Sequence, residues 1–149
     1  MINTCQTNKS NEAIDVAAAV IIDQNKVLLA KRDDGYLNNL WEFPGGKLES
    51  GESAKDAAKR ELIEELEINV LPQSTLLTLE HDYPDKRVRL HFVMCLLEKQ
   101  TSKYLNSCLQ NEIAKWFQFD KLPLTQLCPA DKIAATRISW HEINKKGEE

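Results

Sequence analysis

The stretch GGKLESGESAKDAAKRELIEELEI, Gly45 to Ile68, constrains the fold more than any other part of the chain. A Gly-Gly corner precedes a segment that packs four glutamates into eight residues, Arg60 to Glu67. Helical spacing puts Glu61, Glu64 and Glu65 at i, i+3 and i+4, on one arc of the surface. Their mutual repulsion costs a few tenths of a kcal/mol per pair, so the arc needs either solvent or a cation. Ser53 can cap this helix, with Asp56 at the third helical position in a capping-box-like arrangement, and the helix runs to about Leu66. Ala58, Leu62, Ile63 and Leu66 fall on the side expected to face a core, where Lys55 and Lys59 must snorkel. The corner itself, LWEFPGGKL, is too broken for a helix and marks a sharp turn that brings backbone close to a neighbour.

Around this unit the pattern is mostly extended. VAAAVIID and KVLLAKR read as two strands joined through Gln24 and Asn25, the first apolar on both faces. Residues 33–39 form a polar loop. After the helix, INVLP and STLLTLEHDYP are extended, and RVRLHFVMCLLE alternates as a long strand with Val88, Leu90 and Phe92 on one face. YPDK joins the last two as a hairpin. Lys99 to Asn111 is a polar connection to another short strand, AKWFQF, and a closing helix covers roughly Ala130 to Asn144. The order predicts an α+β fold, a layered α/β/α sandwich with a mixed sheet between helices. Residues 15–145 form one domain behind a flexible polar tail, residues 1–14.

Composition narrows the function. The chain has 149 residues, enough for one sizeable core, with 42% hydrophobic and 28% charged residues. A net charge of -4 gives no general attraction to nucleic-acid polymers or membranes, so an anionic partner must be met locally. Cys5, Cys95, Cys108 and Cys128 are too far apart for a C-x-x-C pair, and reduced thiols in a cytoplasmic protein are expected. His81, His91 and His141 lack metal-ligand spacing. No run is long enough to cross a bilayer.

The glutamates could be a solvated face partnered by Lys59 and Arg60, as charge runs usually are. Their context argues for more. Gly46, five residues, Glu52, seven residues, Arg60-Glu61-Leu62, one residue, Glu64-Glu65, one residue, then Glu67-Ile68 resembles the Nudix box, G-x5-E-x7-R-E-U-x-E-E-x-G-U with U a bulky aliphatic. Eight of its nine fixed positions match. Three carboxylates on one arc supply hard oxygen ligands for Mg²⁺ or Mn²⁺, and a Gly-rich corner can add a carbonyl. Such metals polarise a phosphoryl oxygen and lower the pKa of a bound water, which makes a diphosphate the natural electrophile.

The resemblance implies metal ligation by Glu61, Glu64, Glu65 and the Gly45 carbonyl, with one glutamate acting as or assisting the base. It implies an orienting ion pair between Arg60 and Glu52. Glu67 departs from the box, which has glycine there; in a left-handed helix exit a glutamate costs about 1 kcal/mol. Beyond the box, LWEFPGGKLESGE, LEHDYPDKRVRLHF and PLTQLCPADKIA are similar to the MutT-type branch, which hydrolyses 8-oxo-dGTP and related nucleoside triphosphates to the monophosphate and pyrophosphate. By that resemblance Arg32, Phe43, Gly46, Lys47, Tyr83, Lys86 and Asp131 belong to the substrate site, Asp131 reading the base edge. Three of these have local alternatives: Arg32 can pair with Asp33 or Asp34 on the surface, Phe43 can equally belong to the core, and Asp131 can simply cap a helix. The branch's further metal carboxylate before the Trp116 strand aligns with Gln110, leaving Glu112 as the candidate.

The expected activity is that of a Mg²⁺-dependent pyrophosphohydrolase, monomeric or homodimeric. Its rivals are a CTP or modified-pyrimidine triphosphate pyrophosphohydrolase, an ADP-ribose-type hydrolase, and a non-catalytic base-reading domain. The last has less need for the three glutamates present here.

Overall fold

The computed structural model describes residues 12–98 and 102–143. Strand β1 (Ile14–Asp23) turns into β2 (Lys26–Lys31) through Gln24 and Asn25, both left-handed at φ 47° and 66°, as a two-residue hairpin turn requires. Their ladder is brief, Ile22 opposite Val27 and Asp23 opposite Lys26. β2 then leaves β1 to pair with β7 (Ala114–Gln118) and, at Ala30 and Lys31, with β3 (Trp41–Glu42). The space it vacates is filled by β4 (Gly45–Lys47), antiparallel to Val16–Ala18. On its other side β1 runs parallel to β6 (Lys86–Leu97), which pairs antiparallel with β5 (Val70–Tyr83).

Because side chains alternate along a strand, β1 feeds two cores. Ala18, Val20 and Ile22 pack in the layer that holds helix α3 (Pro129–Arg137). Ala17, Ala19 and Ile21 pack in the layer of α1 (Ala54–Leu66) and α2 (Lys103–Gln110). The result is the expected layered α/β/α arrangement around a mixed sheet. Ile14, assigned from sequence to the tail, is paired with Val88. Residues 1–11 of the tail lie outside the described residues, as does Asn144.

Small residues let β4 in. A Cβ on Gly45 would stand 1.9 Å from the Ala17 carbonyl oxygen, so only glycine fits. The Ala19 N–H donates to the Pro44 carbonyl at 2.7 Å, fixing the corner to the sheet's central strand.

Four sequence expectations change. α1 is capped as expected, Ser53 Oγ accepting from the Asp56 N–H at 3.1 Å, but Ile63 is 44% exposed and Ala57 joins Ala58, Leu62 and Leu66 on the buried face. The two extended segments after α1 form one strand, irregular between Pro72 and Leu77. The polar connection contains α2, capped by Ser102 and anchored by buried Leu105 and Cys108. The closing helix stops at Arg137, where Ile138 turns extended; helix resumes at 140–143, with the Ile143 N–H bonded to the Ser139 carbonyl. Among the described residues, no helix is long and apolar enough to cross a membrane. Cys95, Cys108 and Cys128 are buried free thiols.

Candidate active site

The Gly-Gly corner and α1 face each other, and Arg60 binds them together. Its Nε and Nη2 donate to the two Glu52 carboxylate oxygens at 2.8 and 2.9 Å. Nη2 also reaches the Lys47 carbonyl at 2.9 Å, and Nη1 reaches Glu61 at 2.9 Å and Glu64 at 3.3 Å. This planar fork engages carboxylates from both the loop and the helix, a geometry lysine does not offer. The Arg60 guanidinium and the Glu49 N–H hold Glu52 down at about 2, far below the usual carboxylate range.

Glu61 lies against the corner so closely that a Cβ on Gly46 would come within 2.3 Å of its carboxyl carbon. Glu65 accepts from the Gly45 N–H at 3.2 Å. Burial of that carboxylate, with Glu42 nearby, pushes Glu65 up to about 7. The donor set of the three glutamates suits a hard divalent cation, and the absence of any side chain on Gly46 leaves Glu61 its place. The three are not yet gathered at one point. Among the described residues, the side chains whose ligand atoms converge within 4.8 Å are Glu42, Cys128 and Asp131. That trio suits a metal poorly, because burial pushes the Cys128 thiol up to about 12 and Asp131 up to about 8, favouring protonated forms.

Beside the corner opens a cleft of about 420 Å³, within the size range of small-molecule sites. Arg32, Gly46, Lys47, Tyr83, Lys86 and Asp131 all line it. Asp131 is only 4% exposed, at the third position of α3, where its carboxylate meets its own backbone N–H in the first turn and also reaches out of the helix. Its Oδ1 accepts from the Phe43 N–H at 3.1 Å, 88 residues away in sequence. A second bond to the first turn comes from β5: the Ala130 N–H donates to the Tyr83 hydroxyl at 3.3 Å. Tyr83 is pushed up to about 12 by burial. Phe43 also borders the cleft, but it is 4% exposed and its ring packs in the core, stacked on Trp140 and edge-on to Phe92.

Arg32 donates to Glu42 at 3.2 Å and to Asp34 at 3.0 Å, while its Nε is buried without an acceptor. Glu112 stands apart. It is exposed in a left-handed turn just after α2, φ 58°, and lines neither this cleft nor the hollow on the far side of Arg32. Gln110, its aligned alternative, is the exposed last residue of α2. Glu42 and Cys128, which line the cleft, were not singled out in the sequence. The residue next to Phe43-Pro44-Gly45-Gly46 was the available signal for Glu42; nothing in the sequence marked Cys128.

With this geometry in hand, comparison with known proteins is informative. The NUDIX domain matches residues 13–140, and the chain belongs to the Nudix hydrolase family. Among its relatives, an 8-oxo-dGTP diphosphatase of Proteus vulgaris is 42% identical over 83 residues, 54% of this chain and 74% of that protein. The 8-oxo-dGTP diphosphatase of Escherichia coli (strain K12) is 36% identical over 81 residues, 53% of this chain and 63% of that protein. An RNA pyrophosphohydrolase of Campylobacter jejuni subsp. doylei is 37% identical over 89 residues, 55% of each chain. For the last two, therefore, the matched part is less than two thirds of the relative's length. In structure the chain is similar to the MutT protein of methicillin-resistant Staphylococcus aureus 252, a Nudix hydrolase, with a TM-score of 0.67, 32% identity, and 86% of this chain and 96% of that one covered.

Proposed function

We propose that the chain is a Mg²⁺-dependent nucleoside triphosphate pyrophosphohydrolase that converts 8-oxo-dGTP, or a close relative of it, to the monophosphate and pyrophosphate, and so cleans the cytoplasmic nucleotide pool. One observation carries this reading: Gly45 and Gly46 touch Glu65 and Glu61 on one side and line the Asp131 cleft on the other. A base held at Asp131 would thus have its phosphates beside the glutamates.

In this reading Glu61, Glu64, Glu65 and the Gly45 carbonyl hold the cation, which supplies Lewis-acid polarisation of a phosphoryl oxygen and an acidified water. Arg60, fixed by Glu52, sets the carboxylates of Glu61 and Glu64 and offsets their repulsion. Lys47 and Lys86 bring positive charge to the cleft that receives the phosphates. Asp131 keeps its Oδ1 on Phe43 and presents the other oxygen to the base; in its protonated form that oxygen donates to a carbonyl of the base. The relatives named for 8-oxo-dGTP support an oxidised guanine as that base.

Hydrolysis with Mg²⁺, read as pyrophosphate from 8-oxo-dGTP, dGTP, CTP, dCTP and 5-methyl-dCTP and as AMP plus ribose 5-phosphate from ADP-ribose, ranked by kcat/KM, tests the proposal. The expected result is a clear lead for 8-oxo-dGTP. A lead for the cytosine nucleotides would move the specificity to pyrimidines, and no release from any of them would end the hydrolase reading for this chain.

A further inference from the structure

Trp140 lies outside α3 and does not line the cleft, yet it contacts both of the pieces that the Phe43–Asp131 bond joins. Its indole lies nearly parallel to the Phe43 ring, with 21° between the planes and 6.3 Å between the centroids. Its Nε1–H donates to the Ala135 carbonyl at 3.0 Å. Ala135 stands one helical turn beyond Asp131, among the last carbonyls of α3, which have no further turn of helix to pair with. The links close a circuit: from the Phe43 N–H to Asp131, along α3 to Ala135, across to the indole, and back through the stacked rings to Phe43. The indole is held in turn by the Phe119 ring, 5.0 Å away between centroids, and by buried Ile143 on its own short helix.

The start of α3 has two other ties. The Cys128 N–H donates to the Trp41 carbonyl at 2.9 Å, and the Ala130 N–H donates to the Tyr83 hydroxyl. The indole bond instead ties the last turn of the helix to the ring of the very residue whose N–H meets Asp131. A hydrogen bond weakens steeply as its angle opens, so a small tilt of α3 or of Phe43 would release Oδ1. Either carboxyl oxygen could then face the cleft. On its other side the Phe43 ring meets Phe92 edge-on, 5.6 Å between centroids. Loss of the indole would leave one face of that ring without packing partners and free to shift.

We propose that Trp140 is a positioning residue for base selection: by tying the end of α3 to the Phe43 ring, it fixes which Asp131 oxygen meets the base. The inference rests on the reading of Asp131 as the base-reading residue and deepens it. Phosphate placement depends on ties that run elsewhere, from Pro44 to Ala19 and from Arg60 to Lys47 and Glu52, so turnover itself should be spared.

Two variants test this. Trp140→Leu removes both the stack and the bond, whereas Trp140→Phe keeps a ring against Phe43 and loses only the bond. Each is compared with the unaltered protein for kcat and KM on 8-oxo-dGTP and dGTP with Mg²⁺, and, without substrate, for exchange of the Phe43 amide followed by NMR. Trp140→Leu should lower the ratio of the two kcat/KM values by about tenfold, through KM, with each kcat within about twofold of its parent value. Its Phe43 amide should exchange at least about tenfold faster, beyond what any fall in overall stability accounts for. Trp140→Phe should recover part of both effects, and it carries the test alone if the leucine variant does not fold. An equal loss of kcat/KM on the two nucleotides, or an unchanged Phe43 amide, would overturn the inference and leave Trp140 as core packing. Discrimination that survives in both variants would end this inference alone. An unaltered protein that turns over the two nucleotides alike, and does so again as Asp131→Ala, would instead remove base selection from Asp131 itself, and the role of Trp140 with it.

Discussion

The Asp131 carboxylate accepts a 3.1 Å hydrogen bond from the Phe43 backbone N–H, joining the first residue after β3 to the first turn of α3. The bond ties the floor of the cleft to the corner that faces Glu65, so the proposed base and phosphate sites would share one piece of backbone. It also buries an acid. Burial and the neighbouring Glu42 carboxylate push Asp131 up to about 8 from an ordinary value of 3.8, with the Phe43 N–H opposing.

That shift has a sign. As pH rises above about 4 the unfolded chain ionises Asp131 while the folded one keeps the proton, so the contribution to stability is full below that point and is lost as pH rises through about 8. Asp131→Asn keeps an oxygen for the Phe43 N–H and removes the titration. The difference in Tm, variant minus unaltered protein, should therefore grow steadily from pH 5 to pH 8. Glu42, Cys128, Tyr83 and Arg32 surround the group and are present in both proteins, so their own titrations largely cancel. A difference independent of pH would show that the burial cost is met in some other way.

Adjacent glycines should fail differently. In Gly45→Ala the new methyl meets the backbone oxygen of Ala17 at 1.9 Å, in the middle of the sheet, where nothing can give. We expect a loss of about 3 kcal/mol or more, read as a large drop in Tm or as insoluble protein. In Gly46→Ala the obstacle is the end of the Glu61 side chain, which can swing aside. That variant should fold with a Tm within a few degrees of the parent and lose turnover by at least about tenfold. Equal Tm losses in the two would mean that Glu61 is held as firmly as the backbone.

Glu52→Gln tests the anchoring of Arg60. The amide retains one acceptor but loses the charge that holds the guanidinium with two bonds. Groups that orient metal ligands typically contribute about 10- to 100-fold. Turnover should fall in that range, the concentration of Mg²⁺ needed for half-maximal rate should rise, and the helical signal should be unchanged. Unaltered Mg²⁺ dependence would limit Arg60 to a structural clasp.

Glu67 adopts the left-handed conformation that the family's glycine would take, φ 55° and ψ 41°, with its N–H on the Ile63 carbonyl. Glu67→Gly should therefore relieve strain of roughly 0.5–1 kcal/mol, raising Tm by about 2–4 °C. No change in Tm would indicate that glycine's greater unfolded freedom cancels the gain.

Where local chemistry and long-range packing agreed, the sequence was legible. The Ser53 cap, the Gln24-Asn25 turn and the Val88-Leu90-Phe92 face each rest on a short pattern with one physical solution. Glu52 and Arg60 were readable as partners through the resemblance to the Nudix box, which implies that ion pair. Ile63 was misplaced since the apolar stripe is narrow, and Ala57, too small to weigh in the pattern, occupies the buried side instead. α2 escaped because its apolar stripe is short, Leu105, Cys108 and half-buried Leu109 at i, i+3 and i+4 within an otherwise polar connection. The Phe43–Asp131 bond could not be read from either residue, since it depends on how the sheet delivers α3 to the corner. Cys128 was hidden for the same reason, whereas Glu42 had a signal in its place beside the Pro-Gly-Gly corner.

The shared pairing of β1 has a consequence for motion. Val16–Ala18 are bonded to β4 on one flank and β6 on the other, and Ala19 holds Pro44, so the corner cannot shift without opening the centre of the sheet. In deuterated solvent the amide of Ala19 should be among the last to exchange, released only when the whole molecule unfolds, while the Asp85 amide at the hairpin tip should label early. The Gly-Gly corner is then the stiff side of the cleft, and any widening of the cleft would have to come from the opposite wall.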